Sequence, residues 1–87
     1  MWNSELGFRK WEWGIPDRGR PEWVTLKIYD IPGREVKTLI NQRLRVGRYT
    51  VQWDGTDEAG RPVTSGVYLY RLQAGEQILT RKMVLMR

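Results

Sequence analysis

The stretch VTLKIYDIPGREVKTLI, residues 24–40, decides the fold class of this chain. From Val24 to Ile28 every second residue is a branched aliphatic, which is the period-two pattern of a half-buried antiparallel strand. Pro32 and Gly33 then predict a type II turn over residues 31–34, because Pro presets φ at its second position and Gly accepts positive φ at its third. The stretch therefore predicts a β-hairpin whose first strand buries one face.

The same alternation and turn punctuation continue on both sides of this hairpin. No window of about 11 residues or more places apolar groups at helical spacing between good caps. The predicted strands are Phe8–Ile15, Trp23–Asp30, Glu35–Ile40, Arg48–Trp53, Val67–Leu72 and Ile78–Met86. About seven strands at such short spacing predict an all-β fold, an immunoglobulin-like antiparallel β-sandwich.

Further local patterns refine this prediction. Residues 67–72 are apolar on both faces, which favours a central position in a sheet. Residues 41–47 are polar and predict a loose connection, whereas Gly75 predicts a two-residue hairpin with glycine at its first central position. The side chains predicted to face one common interior belong to two separate strands: Val24, Leu26, Ile28, Val51 and Trp53.

The composition excludes several classes of function. The chain of 87 residues supports a single domain, 1–87, and it contains neither Cys nor His. It therefore lacks disulfides, thiolate metal sites and the usual general base, and we expect no enzymatic activity, no cofactor and no metal. No run of about 18 apolar residues is present, so no membrane span is expected, and residues 1–10 lack the apolar core of a signal peptide.

The charge balance favours acidic partners in general terms. Lys and Arg number 15 against 10 Asp and Glu, a formal net charge of +5. Arg together with aromatic residues suits single-stranded nucleic acid, but no RNA-binding signature appears, and solvated loops account for these charges equally well. We therefore expect a protein partner or self-association rather than nucleic acid.

Three segments carry a resemblance to a known family. VTLKIYDIPGREVKTLI (24–40), GRYTVQWDGTDEAGRPVTSGVYLYRLQAG (47–75) and TRKMVLMR (80–87) resemble bacterial Ig-like C-terminal domains. That family includes the sorting domains of type IX secretion cargo and the Ig-like domain of the flagellar hook-capping protein. The resemblance implies a sandwich without catalytic activity. It divides the chain into a family-like core, 23–87, and an aromatic-rich N-terminal segment with the first strand, 1–22.

Two groups of residues are candidates for interaction with a partner. The first is aromatic: a domain of this size can hardly bury every indole, and Trp2, Trp11, Trp13 and Trp23 all lie in the first 23 residues. Exposed aromatic side chains mark contact surfaces, and we single out Trp2, Trp11 and Trp13. Trp2 lies outside every predicted strand. The second group is Lys82 and Arg87, because the last strand and a basic terminal residue are characteristic of the sorting domains that the chain resembles.

The acidic loop that follows the Arg48–Trp53 strand has two interpretations. Asp54, Asp57, Glu58 and Gly60 supply several oxygens from one short loop, as a calcium site does. The spacing differs from that of an EF-hand, and Asp also caps turns through backbone amides. Turn chemistry is the favoured interpretation.

Two functions follow from these observations. The first is a non-enzymatic recognition module that resembles a C-terminal sorting or anchoring domain of exported bacterial proteins. As part of a longer precursor it would be exported or placed at the cell surface of a Gram-negative bacterium. The alternative is a structural subunit that assembles with itself into an oligomer or filament.

Overall fold

Two antiparallel β-sheets form the domain in the computed structural model, which describes residues 2–5, 10–15 and 21–86. Their strands are β1 (Trp2–Glu5), β2 (Lys10–Ile15), β3 (Glu22–Tyr29), β4 (Glu35–Leu44), β5 (Gly47–Gln52), β6 (Gly66–Ala74) and β7 (Gln77–Leu85). This architecture confirms the predicted immunoglobulin-like sandwich. No helix long and apolar enough to cross a membrane occurs in the part of the chain that the structure describes.

The strand order explains the hydrophobic patterns. One sheet has the order β1-β2-β5 and the other the order β4-β3-β6-β7. β6, the strand predicted to be central because both its faces are apolar, lies between β3 and β7. β4 and β7 are therefore the two edges of the larger sheet.

The core lies between the two sheets and uses the predicted faces. Val24, Leu26 and Ile28 of β3 are each at most 1% exposed, and Trp53 is fully buried. Val51 is partly buried and packs against this cluster. Tyr68 packs edge-on against Trp53 with ring centroids 5.6 Å apart, and its hydroxyl donates to the Thr64 carbonyl at 2.7 Å. The predicted common interior is confirmed.

β4 is longer than predicted. The polar segment expected to be a connection continues the strand as far as Leu44, which pairs with Glu22 and is buried. Strand pairing is made by backbone groups, so polar side chains on an outer face do not stop it. The register with β3 shifts twice, between Leu26 and Lys27 and between Ile28 and Tyr29.

Both predicted hairpins form, but the type II turn predicted over residues 31–34 is wrong, because the turn spans residues 30–33 and places Pro32 third and Gly33 fourth. The Gly33 amide donates to the Asp30 carbonyl at 3.0 Å, so the first turn begins one residue earlier than predicted. The carboxylate of Asp30 accepts from the Arg34 amide at 2.7 Å, which fixes the turn at this position. At the second turn Ala74 pairs with Gln77, and Gly75 has a φ of 58°, as the predicted two-residue hairpin requires.

The N-terminal segment contains a strand that the sequence did not indicate. Trp2, placed outside every predicted strand, belongs to β1 and pairs with Gly14 of β2. Residues 2–5 are only four and mostly polar, so they lack an alternating pattern long enough to detect. Phe8 and Arg9, the predicted start of the next strand, lie outside the described residues.

Candidate interaction surface

The β7 edge is a regular strand with one side of its backbone facing outward. Nine consecutive residues of β7 pair with β6 without a register shift. The two-residue turn makes Ala74–Gln77 a hydrogen-bonded pair, and such pairs alternate with non-hydrogen-bonded ones along an antiparallel ladder. The backbone groups that point away from β6 therefore belong to Ile78, Thr80, Lys82 and Val84.

The side chains of these four residues are exposed, on the outer face of the sheet. Ile78 is 52% exposed and Val84 is 54% exposed. Val84 pairs with Val67, itself 43% exposed, so the two form a small apolar pair on that face. The edge thus offers both unpaired backbone groups and apolar side chains to a partner.

The β6–β7 hairpin is basic. Its two strands carry Arg71, Arg81 and Lys82 and contain no Asp or Glu. None of these three cations forms an ion pair with a described residue. The Arg81 guanidinium donates a long hydrogen bond of 3.3 Å to the Thr80 carbonyl, one of the outward backbone groups.

The first part of the β4 edge, in contrast, is covered at Val36 and Thr38 by the loop that precedes β6. The Glu58 amide donates to the Val36 carbonyl at 3.1 Å, and the Thr38 amide donates to the Glu58 carboxylate. Lys37 Nζ donates to the Thr56 hydroxyl at 2.9 Å. Residues of one loop therefore occupy backbone groups of β4 that a partner strand would need.

Turn chemistry holds this loop in place, as the sequence indicated. Asp54 accepts from the backbone amide of Thr56 at 3.1 Å and from its hydroxyl, while Asp57 accepts from the amides of Ala59 and Arg61, both at 3.0 Å. The hydrogen bond from the Thr56 side chain lowers the pKa of Asp54, and that from the Arg61 amide lowers the pKa of Asp57. Among the described residues, no three metal-binding side chains gather at one point.

Two candidate interaction residues lie inside the core. Trp11 and Trp13 are each 1% exposed, Trp11 edge-on against Tyr70 at 5.2 Å and Trp13 stacked on Tyr49 at 5.8 Å. Neither indole N–H finds an acceptor within the described ranges. The structure assigns both rings to internal packing, and neither offers an exposed face for a partner.

The remaining candidates divide between described and undescribed positions. Lys82 is exposed on β7, whereas the Trp2 side chain and Arg87 lie outside what the structure describes. Trp23, the fourth tryptophan of the N-terminal group, is 52% exposed, and its indole donates to Asn41 at 3.0 Å. Of the predicted interaction residues whose side chains the structure describes, only Lys82 thus lies at the β7 edge.

A cleft that sequence reasoning missed lies at one end of the larger sheet. It measures about 350 Å³ and is lined in part by Ile31, Val63 and Val67. Val67 also belongs to the apolar pair on the outer face, so the cleft adjoins the hairpin. Ile31 lies far in sequence from Val63 and Val67, and no local pattern signals that they meet.

The fold and this edge define a class: an Ig-like β-sandwich domain, of the kind that serves as a structural or protein-interaction module. The family model described as the FlgD Ig-like domain matches residues 19–77, more than half of the chain. The chain therefore belongs to the FlgD Ig-like domain family, whose context is flagellar hook capping. Neither a curated protein nor a solved structure matches it. The matched range contains β3 to β6 and ends at the first residue of β7.

Proposed function

We propose that this domain is a recognition module that binds a protein partner by adding a strand of that partner to the β7 edge. The observation that carries the proposal is the regular nine-residue ladder of β7, on whose outer side no described strand pairs and only the long Arg81–Thr80 hydrogen bond occurs among the described residues. Edge strands are natural templates for such addition. Main-chain hydrogen bonds supply affinity, and alternate side chains supply specificity.

The finer role that we propose is that of a sorting or anchoring domain of an exported bacterial protein. Its support is the resemblance of TRKMVLMR, residues 80–87, to the last strand of sorting domains. In this role the last strand is the address label that a receptor reads. The role implies export to the outside or to the cell surface of a Gram-negative bacterium.

An export assay tests this role and the edge together. A reporter protein carrying the chain at its C-terminus is expressed in a Gram-negative bacterium with type IX secretion. We expect export of the unchanged fusion and of Lys82→Thr, which keeps the outward amide. We expect intracellular retention of Lys82→Pro, which removes that amide but no hydrogen bond to β6. Circular dichroism melts establish that all variants fold.

The two parts of the proposal fail in different ways. If the unchanged fusion stays inside the cell, the sorting role is wrong. If Lys82→Pro is exported as efficiently as Lys82→Thr, the β7 edge is not what the receptor reads.

One observation favours the alternative of self-assembly. The strand β7 is nearly self-complementary. If two copies of β7 paired antiparallel with Arg81 at the centre, Ile78 would face Val84 of the second copy and Leu79 would face Met83. Antiparallel pairing of two β7 strands would join two four-stranded sheets into one. Arg81 would then lie directly opposite the Arg81 of the other copy, an arrangement that destabilises a strand pair. Sedimentation velocity at rising concentration tests this, and self-assembly predicts stronger association for Arg81→Thr.

A further inference from the structure

The basic side chains around the β7 edge affect which partner strands can pair with it. Five basic side chains elsewhere in the described chain meet carboxylates, among them Lys27 with Glu35 at 3.2 Å and Arg34 with Asp30 at 3.0 Å, whereas Lys10, Arg43 and Arg45 do not. The β6–β7 hairpin has no carboxylate on either strand to do the same for Arg71, Arg81 and Lys82. These three positive charges therefore have no ion-pair partner among the described residues.

The register places these charges where a partner strand would meet them. Lys82 pairs with Leu69 and Arg71 with Thr80, so Lys82 and Arg71 lie diagonally on one face of the sheet. Because the backbone groups of Lys82 point outward, a partner residue directly opposite would exchange both hydrogen bonds with it. The Cβ atoms of such a pair lie about 5 Å apart, within reach of a carboxylate for the Lys82 ammonium.

The same charges disfavour a second copy of the chain as the occupant. Each copy carries a formal net charge of +5. In the self-complementary register Arg81 meets Arg81, and like charges directly opposite each other destabilise a pair. The charges on β7 thus disfavour pairing with the β7 strand of a second copy and favour pairing with a negatively charged strand.

We propose that the partner of the β7 edge is an extended acidic segment, with carboxylates opposite Arg81 and Lys82 and an apolar side chain opposite Val84. This inference rests on the proposed function, since it names the chemistry of the strand that the edge receives. The apolar position follows from Val84 and Val67, which a further apolar side chain would extend across the sheet. Carboxylates opposite these cations also compensate charges that the domain itself leaves unpaired.

The test uses the full chain, labelled with ¹⁵N, and three capped peptides as long as β7, nine residues. Each peptide alternates valine and threonine on both sides of two adjacent residues near its middle, and these two are both glutamate, both glutamine or both lysine. We expect the glutamate peptide to shift the amide signals of Ile78, Thr80, Lys82 and Val84. It should bind more tightly than the glutamine peptide by up to about fivefold for each charge pair. The lysine peptide should bind least.

Two variants test whether the Lys82 side chain causes the preference for the glutamate peptide. Lys82→Glu should weaken binding of the glutamate peptide and strengthen that of the lysine peptide. Lys82→Thr is the matched control, which keeps the strand and should reduce the difference between the glutamate and glutamine peptides. Raising the salt concentration should weaken the preference in the unchanged chain, because exposed charge pairs are screened.

Each contrary outcome identifies what has failed. If all three peptides bind β7 equally, the proposal of an acidic partner is wrong, whereas the proposed recognition by the β7 edge stands. Shifts confined to other strands, or none with any peptide, overturn both. Amide shifts at β7 that grow with protein concentration alone identify a second copy as the occupant and overturn the acidic partner.

Discussion

The two edges of the larger sheet are protected by different means. β4 has two shifts in its register with β3 and lies under the loop of Glu58, whose backbone and side chain bond to Val36 and Thr38. β7 has no register shift and no covering segment among the described residues, and its centre carries Arg81 and Lys82. Bulges and a covering loop hinder pairing by any strand, whereas charge hinders pairing most for strands of the same sign. The comparison therefore identifies β7 as the selective edge.

The largest expected effect comes from the residue that joins the covering loop to the core. The fully buried Trp53 donates from its indole to the Thr56 carbonyl at 2.8 Å. Trp53→Ala should lower the free energy of unfolding by about 3–5 kcal/mol in chemical denaturation. Trp53→Phe keeps an aromatic ring but loses the hydrogen bond, and should cost clearly less. Equal losses for both variants would contradict a role for ring volume.

A pair of proline substitutions tests the alternation assigned to β7. The Arg81 amide points to β6, where Tyr70 is its partner, and the Lys82 amide points outward. Arg81→Pro should cost about 1–3 kcal/mol more than Lys82→Pro, because only the former leaves a ladder carbonyl unpaired. Both variants bear the same restriction of φ, so thermal or urea denaturation compares them directly. If Lys82→Pro lost more free energy of unfolding than Arg81→Pro, the Lys82 amide would be the one bonded to β6 and the assigned alternation would be wrong.

Removing the cover from β4 should have a smaller effect. Glu58→Ala deletes the acceptor of the Thr38 amide and should cost about 0.5–1.5 kcal/mol. Hydrogen exchange at Thr38 should accelerate. The matched control is Glu76→Ala in the exposed β6–β7 turn, where we expect a change within about 0.5 kcal/mol. Unchanged protection of Thr38 in Glu58→Ala would show that the loop does not cover this edge.

The smallest effect is expected from acid. The folded loop lowers the pKa values of Asp54 and Asp57, through the Thr56 side chain and the Arg61 amide respectively. Their stabilising contribution is therefore complete above the ordinary aspartate pKa of about 3.9 and is lost as pH falls through the lower folded values. Amide protection of Thr56, Ala59 and Arg61, corrected for intrinsic exchange, should fall below pH 4 before β7 changes. If amide protection in β7 fell at the same pH as protection in the loop, acid would be unfolding the whole domain and not the loop alone.

Strand faces and turns could be predicted because their causes are local. Val24, Leu26 and Ile28 occupy one face whatever packs against them, since successive side chains in a strand alternate. The hairpin at Gly75 and the Asp-capped loop after Trp53 depend on residues within a few positions of each other. The candidate site was predicted less well: Lys82, named through a family resemblance, is exposed on β7 and stays a candidate, whereas Trp11 and Trp13 were assigned to a contact surface and are buried.

The sequence by itself determined the sandwich class, the interior faces and the chemistry of the turns, because each is encoded over a few neighbouring residues. Only the tertiary structure decided which edge of the larger sheet is covered and which is free, because Glu58 reaches Thr38 across 20 positions of sequence. It also decided that residues 41–44 continue β4 and that Trp11 and Trp13 fill the core. Those outcomes depend on pairing and packing with distant strands, which no local pattern of polarity records.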